Sequence, residues 1–597
     1  MKKYIYKFFL VLLGIIICLS NFYWLKINNA PPAGDANSHL ILSMDFYYPL
    51  VSNDLLKDKI ARIFFGWGGY PPLVYWLTSL FYGIVGVHAL TPFLAQSIFI
   101  FIFLFSMFNL GRLLWDEKTG MAMAFVSSAT PFFLHYSRSF LLDFPLLAMV
   151  CLCYYLYFAS RNFQDRKYSI LLGIALGLGM LTKWSLLYFM LVPMVYSFVP
   201  VFIKGSKKIT ARAIVLLVPV CVGVGAIIMS RYVITDINHP WERSIFPAIF
   251  WILSFLFLGF MIWAWQRKFS GQGFFSLDED HAHSFINSIY CIFAIVLVAG
   301  CWYMTNISHL IHRLFFQIMD TPRYTVNFFR VLWANSKVLL FTFPLSVIFF
   351  LFGVGALFYN KTAGRRKENL LTLANLLFCI IVISVTIPFN ARYILPALTF
   401  VIMLSLYWIT RYRKFYPIIL GFLILVSVFQ VSSWALVHSG CIPQDVASKL
   451  RYFYPMIGID LEKLSRKVFV PDASLPPDSR KYHILDVIEF IYQRSGGKQS
   501  GVGIYNNMDK SPLQGRSFRY YSLLKRYFAL NFFSLEDPTE KRSLKDCKFV
   551  IMISDEDSDF ETWKIASGQK IDGDFCFLRD YDLPADFKMH IYEKVDK

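Results

Sequence analysis

Long apolar runs constrain the fold of this chain more than any other feature of its sequence. Runs of about 18 to 25 residues, the length that crosses a hydrocarbon core of roughly 30 Å, recur from Phe8 to about Val437 and then stop. Hydrophobic residues make up 56% of the 597 positions and charged residues 16%, which is more apolar surface than one globular core could bury. The sequence therefore predicts a polytopic α-helical membrane protein.

The distribution of charge predicts how the chain crosses the membrane. The formal net charge is +19, but residues 438–597 contain 24 basic and 24 acidic side chains, so the whole excess lies in the membrane region. Short loops rich in lysine and arginine mark the cytoplasmic side, which excludes nucleic-acid binding as the reason for the charge. We predict a cytoplasmic N-terminus and about 13 transmembrane helices. The predicted spans are 8–25, 89–111, 119–136, 141–159, 168–183, 185–203, 211–230, 247–265, 284–303, 336–358, 369–388, 393–410 and 416–437.

Two domains follow from this pattern: a transmembrane domain over 1–437 and a soluble α/β domain over 438–597 on the outer side. The first outer loop, 26–88, is predicted to carry juxtamembrane helices. Within it, 71–86 is apolar but too short to span, and two prolines open it, so an interfacial or re-entrant helix is expected. In the soluble domain, 501–505 and 549–553 read as strands, and 484–493 and 520–528 read as helices.

Two acidic residues on the outer side are candidates for chemistry. Asp35 follows the first span and precedes a helical apolar pattern, so it is either a helix N-cap or a catalytic carboxylate. Asp143 lies at the outer mouth of two spans, where an ionisable group is costly and indicates a function with a partner. That partner is either the nearby Arg138, in a purely local ion pair, or a ligand.

Basic residues on the same side are the second set of candidates. Lys183 interrupts a long apolar run at an outer turn, and Arg392 occupies a comparable turn. Each is either a side chain that reaches to the lipid headgroups or a phosphate ligand. Transfer of a sugar from a phosphate carrier needs a carboxylate to deprotonate the acceptor and cations to neutralise the departing phosphate. The joint placement of these acids and cations predicts that reaction.

These residues lie in six short strings: Asp35 with His39, Tyr70–Trp76, Gly111–Arg112, Leu142–Pro145, Leu181–Lys183 and Ala391–Pro396. In their order and spacing the strings resemble the GT-C glycosyltransferases, and within them the protein O-mannosyltransferase and lipid A aminoarabinose transferase superfamily. Two positions depart from the family pattern: Ala36 follows Asp35 where many members have a second acid, and Tyr70 stands where many have a lysine. The stretch Phe518–Leu524 also resembles a recurring one in the outer domains of bacterial members.

The resemblance implies a bacterial inner-membrane glycosyltransferase that uses a polyprenyl-phosphate sugar and acts on an envelope glycan, lipid or protein. It implies that Asp35 is the catalytic base and that Asp143 lies near the donor phosphate or acceptor. The expected donor and substrate contacts are Lys183, Arg138, Arg392, His39 and Tyr70. No metal site is predicted from ligand spacing, and the cofactor, including a divalent cation, is left open. The alternative function is a transporter or flippase of a lipid-linked sugar, which would carry its ionisable groups near the bilayer midplane.

Overall fold

The computed structural model describes most of the first half of the membrane region and much of the C-terminal domain. Among the described residues, four helices are long and apolar enough to cross a membrane: Ile5–Ile27, Thr91–Leu114, His283–Tyr303 and Arg366–Ser384. Several shorter apolar helices accompany them. The described residues are 2–32, 34–52, 55, 70–204, 279–303, 306, 328–340, 346–359, 365–386, 391–407, 417–418, 421, 481–506, 513, 515–535, 544–555, 575–583 and 587–595.

In the part of the membrane region that the structure describes, the chain forms α-helices, with a π-helical turn at Val296–Gly300 and a 3₁₀ segment at Ala391–Ala397. The first seven helices are α1 Lys2–Ile27, α2 Asp35–Val51, α3 Leu73–Val85, α4 Thr91–Leu114, α5 Glu117–Ser128, α6 Pro131–Arg138 and α7 Asp143–Ala159. The next seven are α8 Arg166–Thr182, α9 Leu186–Lys204, α10 Glu279–Ile295, α11 Phe328–Leu340, α12 Ser346–Tyr359, α13 Arg366–Thr386 and α14 Leu398–Tyr407.

Helix α7 lies at the centre of this bundle. Almost all of its residues are buried, including its first residue, Asp143, because it is apolar on every face and packs against α4 on one side and α8 on another. A helix buried all round leaves its N-terminus enclosed by neighbouring elements. Asp143 is therefore held in a fixed environment.

Glycine permits the close approach of α4 and α5. A Cβ on Gly111 would lie 2.7 Å from the Gly120 Cα, and a Cβ on Gly120 would overlap the Phe108 carbonyl oxygen. Small residues at facing positions let two membrane helices pack backbone against backbone. The close packing of α4 against α5 determines where the next helices, α6 and α7, begin.

The predicted span 119–136 was wrong as a single helix. The chain forms α5 and α6 instead, with a break at Ala129 and Thr130. Thr130 caps α6 by accepting from the Phe133 amide, and Pro131 takes the first helical position, where its missing N–H costs nothing. The predicted spans 211–230 and 247–265 and nearly all of 416–437 lie outside the described residues, so the total of about 13 stays a prediction.

The first outer loop contains the two helices α2 and α3, which pack against each other. Helix α3 matches the short segment that was predicted to lie at the interface, and Gly86 ends it with φ of 95°, a conformation that favours glycine. Tyr75 on this helix is fully buried between α2 and the bundle.

The C-terminal domain has a five-stranded sheet in the order β2-β1-β3-β5-β4. β1 pairs in parallel with β2 and β3, and β5 pairs antiparallel with β3 and β4. The two strands and the helix predicted at 484–493 are confirmed, and the second helix begins earlier than predicted. The elements are α15 Ile484–Arg494, β1 Ser500–Asn506, α16 Gly515–Leu524, β2 Leu530–Ser534, β3 Phe549–Asp555, β4 Phe575–Leu583 and β5 Phe587–Lys594. The predicted boundary between 437 and 438 lies outside the described residues.

Candidate active site

Four charged side chains from distant parts of the chain meet at the ends of helices. Asp35 is the first residue of α2, Asp143 is the first residue of α7, and Lys183 is the C-cap of α8. Arg392 belongs to the 3₁₀ segment that contacts α7. The helix dipole favours an anion at a helix N-terminus and a cation at a C-terminus, so the backbone stabilises all three helix-end charges.

Two linked ion pairs join these side chains. The Lys183 Nζ donates to Asp143 Oδ1 at 2.6 Å, and the Arg392 Nη2 donates to Asp35 Oδ2. The Arg392 Nε lies 4.0 Å from Asp143 Oδ2, which connects one pair to the other. The side chains of Asp143 and Lys183 are 3% and 13% exposed, whereas that of Asp35 is 43% exposed. The cluster therefore has an enclosed half and a half that a substrate can reach.

Tyr393 supports both cations of this cluster. Its ring lies 4.9 Å from the Lys183 Nζ and 4.9 Å from the Arg392 guanidinium carbon, and its hydroxyl accepts from Arg392 Nη2 at 3.0 Å. An aromatic face attracts cations and restricts their side-chain rotamers. Tyr393 thus holds the two positive groups side by side.

The ionisation of Asp35 is set by its neighbours. Burial opposes the charged carboxylate, but the hydrogen bond and the charge of Arg392, with a smaller contribution from Lys183, outweigh it and lower the pKa of Asp35. Asp35 is therefore ionised at neutral pH. It is held as a carboxylate, which is the form that can accept a proton.

His39 lies one turn after Asp35 on α2 and is neutral at physiological pH. Burial, and then the charge of Lys183, lower the pKa of His39 to about 4. Its Nδ1 is hydrogen-bonded to the Tyr75 hydroxyl at 2.7 Å, and the Tyr70 ring meets its imidazole edge-on with centroids 5.0 Å apart. The predicted residues His39 and Tyr70 therefore adjoin the charged cluster.

The alternative readings of Asp35 and Asp143 are wrong. The N-cap of α2 is Gly34, whose φ of 56° favours glycine, and no side chain caps that helix. Asp143 pairs with Lys183 and not with Arg138, and the Lys183 side chain is 13% exposed. The carboxylate of Asp35 is turned to Arg392.

Arg138 lies apart from these contacts. Its Nε donates to Asn21 Oδ1 at 2.9 Å, its Nη2 to Ser20 Oγ at 3.4 Å, and its guanidinium stacks over the Trp24 ring at 5.6 Å. Arg138 is 4% exposed and joins α6 to α1. Its predicted role as a donor contact stays a prediction that these contacts do not favour.

Three tyrosines, Tyr75, Tyr136 and Tyr393, adjoin the charged cluster and were not named as site residues from the sequence. Tyr393 directly follows Arg392, a signal that was available, whereas the pairing of Tyr75 with His39 has none. Tyr136 on α6 is buried and interacts electrostatically with Asp143 and Arg392. Its hydroxyl has no hydrogen-bond partner in the part of the chain that the structure describes. Within the same residues, no group of three or more His, Cys, Asp or Glu side chains has metal-binding geometry.

Comparison with known proteins bears on the nature of this site. The family model described as dolichyl-phosphate-mannose-protein mannosyltransferase matches residues 70–230, which include Asp143 and Lys183. This match confirms the predicted resemblance to the GT-C glycosyltransferase superfamily. No curated protein matches the chain.

Two solved structures align with nearly the whole length of this chain. ArnT from Cupriavidus metallidurans bound to undecaprenyl phosphate is 13% identical with a TM-score of 0.47, and the match covers 98% of this chain and 97% of that chain. The apo state of the same protein is 11% identical with a TM-score of 0.41 and the same coverage.

Proposed function

We propose that this GT-C-type glycosyltransferase moves a sugar from a polyprenyl-phosphate donor to an acceptor on the outer face of the inner membrane, with Asp35 as general base. The observation that carries the proposal is the linked cluster of Asp35, Arg392, Asp143 and Lys183. It combines a reachable carboxylate with two cations that tyrosine and carboxylate neighbours hold in place. The description of the matching family, which names a dolichyl-phosphate sugar, supports a lipid-phosphate donor.

In the proposed reaction, Asp35 removes the proton from an acceptor hydroxyl. At the same time, the oxygen of that hydroxyl attacks the anomeric carbon of the sugar. The bond between that carbon and the phosphate oxygen breaks, and the polyprenyl phosphate leaves with the electron pair. Lys183 and Arg392 neutralise the developing charge on the leaving group. The proton ends on the Asp35 carboxylate, so Asp35 must release it before the next turnover.

Arg392 couples donor binding to the basicity of Asp35 in this scheme. The guanidinium has five N–H donors and can bind phosphate and carboxylate on different edges. When a donor phosphate binds the guanidinium, the ion pair between Arg392 and Asp35 weakens. The pKa of Asp35 then rises, and the carboxylate becomes a stronger base. The two acids and two cations of the cluster balance in charge, so an anionic donor competes with the carboxylates for the cations.

The role proposed for Asp143 is to orient Lys183. With 3% of its side chain exposed, Asp143 has little access to an acceptor, and its 2.6 Å contact fixes the Lys183 ammonium beside Arg392. We place Lys183 and Arg392 at the donor phosphate, with His39 and Tyr70 lining the adjoining surface.

We also propose 1–437 as the catalytic membrane domain and 438–597 as an outer domain, with the N-terminus in the cytoplasm.

A transporter or flippase of a lipid-linked sugar is the competing function. Transporters place their ionisable groups near the bilayer midplane, often at broken helices. The charged groups of this cluster stand at the first residues of α2 and α7 and at the C-cap of α8. That position favours chemistry at a membrane surface over passage through the bilayer.

The test is a donor screen with the full chain in lipid nanodiscs. A panel of radiolabelled polyprenyl-phosphate sugars is offered with a mixture of envelope acceptors, and release of free polyprenyl phosphate is measured. We expect release by the wild type and a loss of at least about 100-fold in Asp35→Asn, because general-base catalysis contributes roughly that much. Membrane insertion is expected to stay normal, and donor binding is expected to be at least as tight as in the wild type, because Asp35 no longer competes for Arg392.

The matched control is Asp116→Asn. Asp116 caps α5 by accepting from the Thr119 amide, a task that asparagine also performs, so this variant should retain transfer. Transfer by Asp35→Asn at the wild-type rate would refute the base. In sealed proteoliposomes that contain the same protein, movement of intact donor across the bilayer without release of the carrier would favour the transporter.

A further inference from the structure

Helix α16 of the C-terminal domain lies directly on α2, the helix that begins with Asp35. Three hydrogen bonds cross this contact. Asn37 Nδ2 donates to Ser517 Oγ at 2.9 Å, Arg516 Nη1 donates to Ser38 Oγ at 3.0 Å, and the Tyr48 hydroxyl donates to the Leu523 carbonyl at 2.6 Å. The contacts therefore reach from the first turn of α2 to its last.

The first-turn contacts hold the residues that flank Asp35. Asn37 Nδ2 also donates to the Pro32 carbonyl, and the Ser517 hydroxyl lies 3.4 Å from the same oxygen. Ser517 thus adjoins both the chain that enters α2 and its first turn. Asn37 and Ser517 are both fully buried, and buried polar groups need their partners in a defined geometry.

The rest of the contact is extensive and partly apolar. Tyr520 on α16 is buried in the hydrophobic core of the membrane region, and the Phe528 ring meets the Tyr48 ring edge-on with centroids 4.9 Å apart. Asp45 on α2 interacts electrostatically with Arg519 on α16. A helix held along its length in this way has little freedom to rotate or slide.

We propose that α16 positions the catalytic base, with Ser517 as the positioning residue that orients the first turn of α2 and therefore the Asp35 carboxylate. This inference rests on the proposed function, because it assigns a task in the same reaction. It gives the C-terminal domain a part in catalysis, although none of its described residues belongs to the charged cluster. A shift of the carboxylate by a fraction of an ångström slows proton transfer without changing the donor-phosphate contacts of Lys183 and Arg392.

The experiment compares kcat and the donor KM of full-length variants in nanodiscs. Ser517→Ala removes the hydroxyl that Asn37 contacts, and we expect kcat to fall about fivefold or more with the donor KM unchanged within twofold. Ser522→Ala is the matched control, since it removes a hydroxyl from the same helix whose partner is the Tyr527 carbonyl of the same domain. It should leave kcat at the wild-type value.

Two further variants guard against a folding effect. Arg516→Met removes the exposed contact to Ser38, where folding is not at risk, and should lower kcat about twofold. Asn37→Ala combined with Ser517→Ala should lower kcat by less than the product of the two single effects, because both changes break the hydrogen bond between Asn37 and Ser517.

The outcomes separate this proposal from the proposed function. Wild-type kcat in Ser517→Ala and Arg516→Met, with Asp35→Asn inactive, would overturn only the positioning role. Loss of kcat in proportion to the folded fraction, with the Ser522→Ala control equally affected, would also overturn it. Full activity of Asp35→Asn would remove the proposed function itself.

Discussion

The ion pair between Lys183 and Asp143 can be broken from either side or removed altogether, and the three variants differ in expected stability. Asp143 is 3% exposed, and in Lys183→Met it would lose the ammonium that lies 2.6 Å away. Removal of one partner of a buried ion pair costs about 3 to 5 kcal/mol, because the remaining charge is left without compensation. The Arg392 Nε at 4.0 Å from Asp143 offers partial compensation, so we expect about 3 kcal/mol.

The opposite variant should be milder. In Asp143→Asn, Lys183 keeps the Tyr393 ring at 4.9 Å and has more access to water, with 13% of its side chain exposed. We expect a loss of about 2 kcal/mol. The double variant Lys183→Met with Asp143→Asn leaves no uncompensated charge at either position and should lose only about 1 to 2 kcal/mol.

The measurement is a double-mutant cycle of the free energy of unfolding, by titration with sodium dodecyl sulfate in mixed micelles. The sum of the single losses is expected to exceed the loss of the double variant by about 3 kcal/mol. Additive losses would refute the argument that the two charges compensate each other. Sugar transfer should stay low in the double variant, because the contact with the donor phosphate that we propose for Lys183 is not restored along with stability.

Three further predictions concern neighbours of the cluster. Arg392→Gln removes the cation that lowers the pKa of Asp35, so the acid limb of the pH profile of kcat/KM for the acceptor should move to higher pH. An acid limb at the wild-type pH would mean that a group other than Asp35 titrates there. Because His39 has a pKa of about 4 in the fold against 6.5 unfolded, protonation favours the unfolded chain, and stability should fall by up to about 3 kcal/mol between pH 6.5 and 4. His39→Gln should lack this component in unfolding titrations across that pH range. Tyr136→Phe removes a buried hydroxyl without a described partner, so it should raise stability by about 1 kcal/mol, and a raised donor KM would show that the hydroxyl binds substrate.

The sequence predicted best those elements whose apolar pattern or charge depends directly on whether lipid or water surrounds them. The apolar runs located α4, α7 and α13 to within about three residues and α1 to within about six, because a bilayer of fixed thickness requires apolar runs of a defined length. The division of 119–136 into α5 and α6 was missed, since hydropathy averages over the break that Thr130 and Pro131 introduce. Strands β2, β4 and β5 were also missed, because half-buried strands near a sheet edge carry a weak alternation.

The candidate site was predictable in its members and not in its pairings. Asp35, Asp143, Lys183 and Arg392 stand out because charge is rare at the ends of apolar segments. The partner of each depends on how helices cross, and Asp35 and Arg392 are 357 positions apart in the chain. Sequence proximity offered Arg138 as one possible partner of Asp143, whereas in the structure Arg138 contacts Asn21 and Ser20 of α1.

The contact between Asn37 and Ser517 spans 480 positions and has a consequence for biogenesis. Asn37 is synthesised early. Its partner helix, α16, is synthesised only after most of the polypeptide has been translated. If the N-terminus is cytoplasmic, as predicted, that partner must also be translocated and folded before it can dock. A nascent chain that has inserted its transmembrane helices still lacks the contact between α2 and α16. Full catalytic competence would therefore be acquired at the end of synthesis.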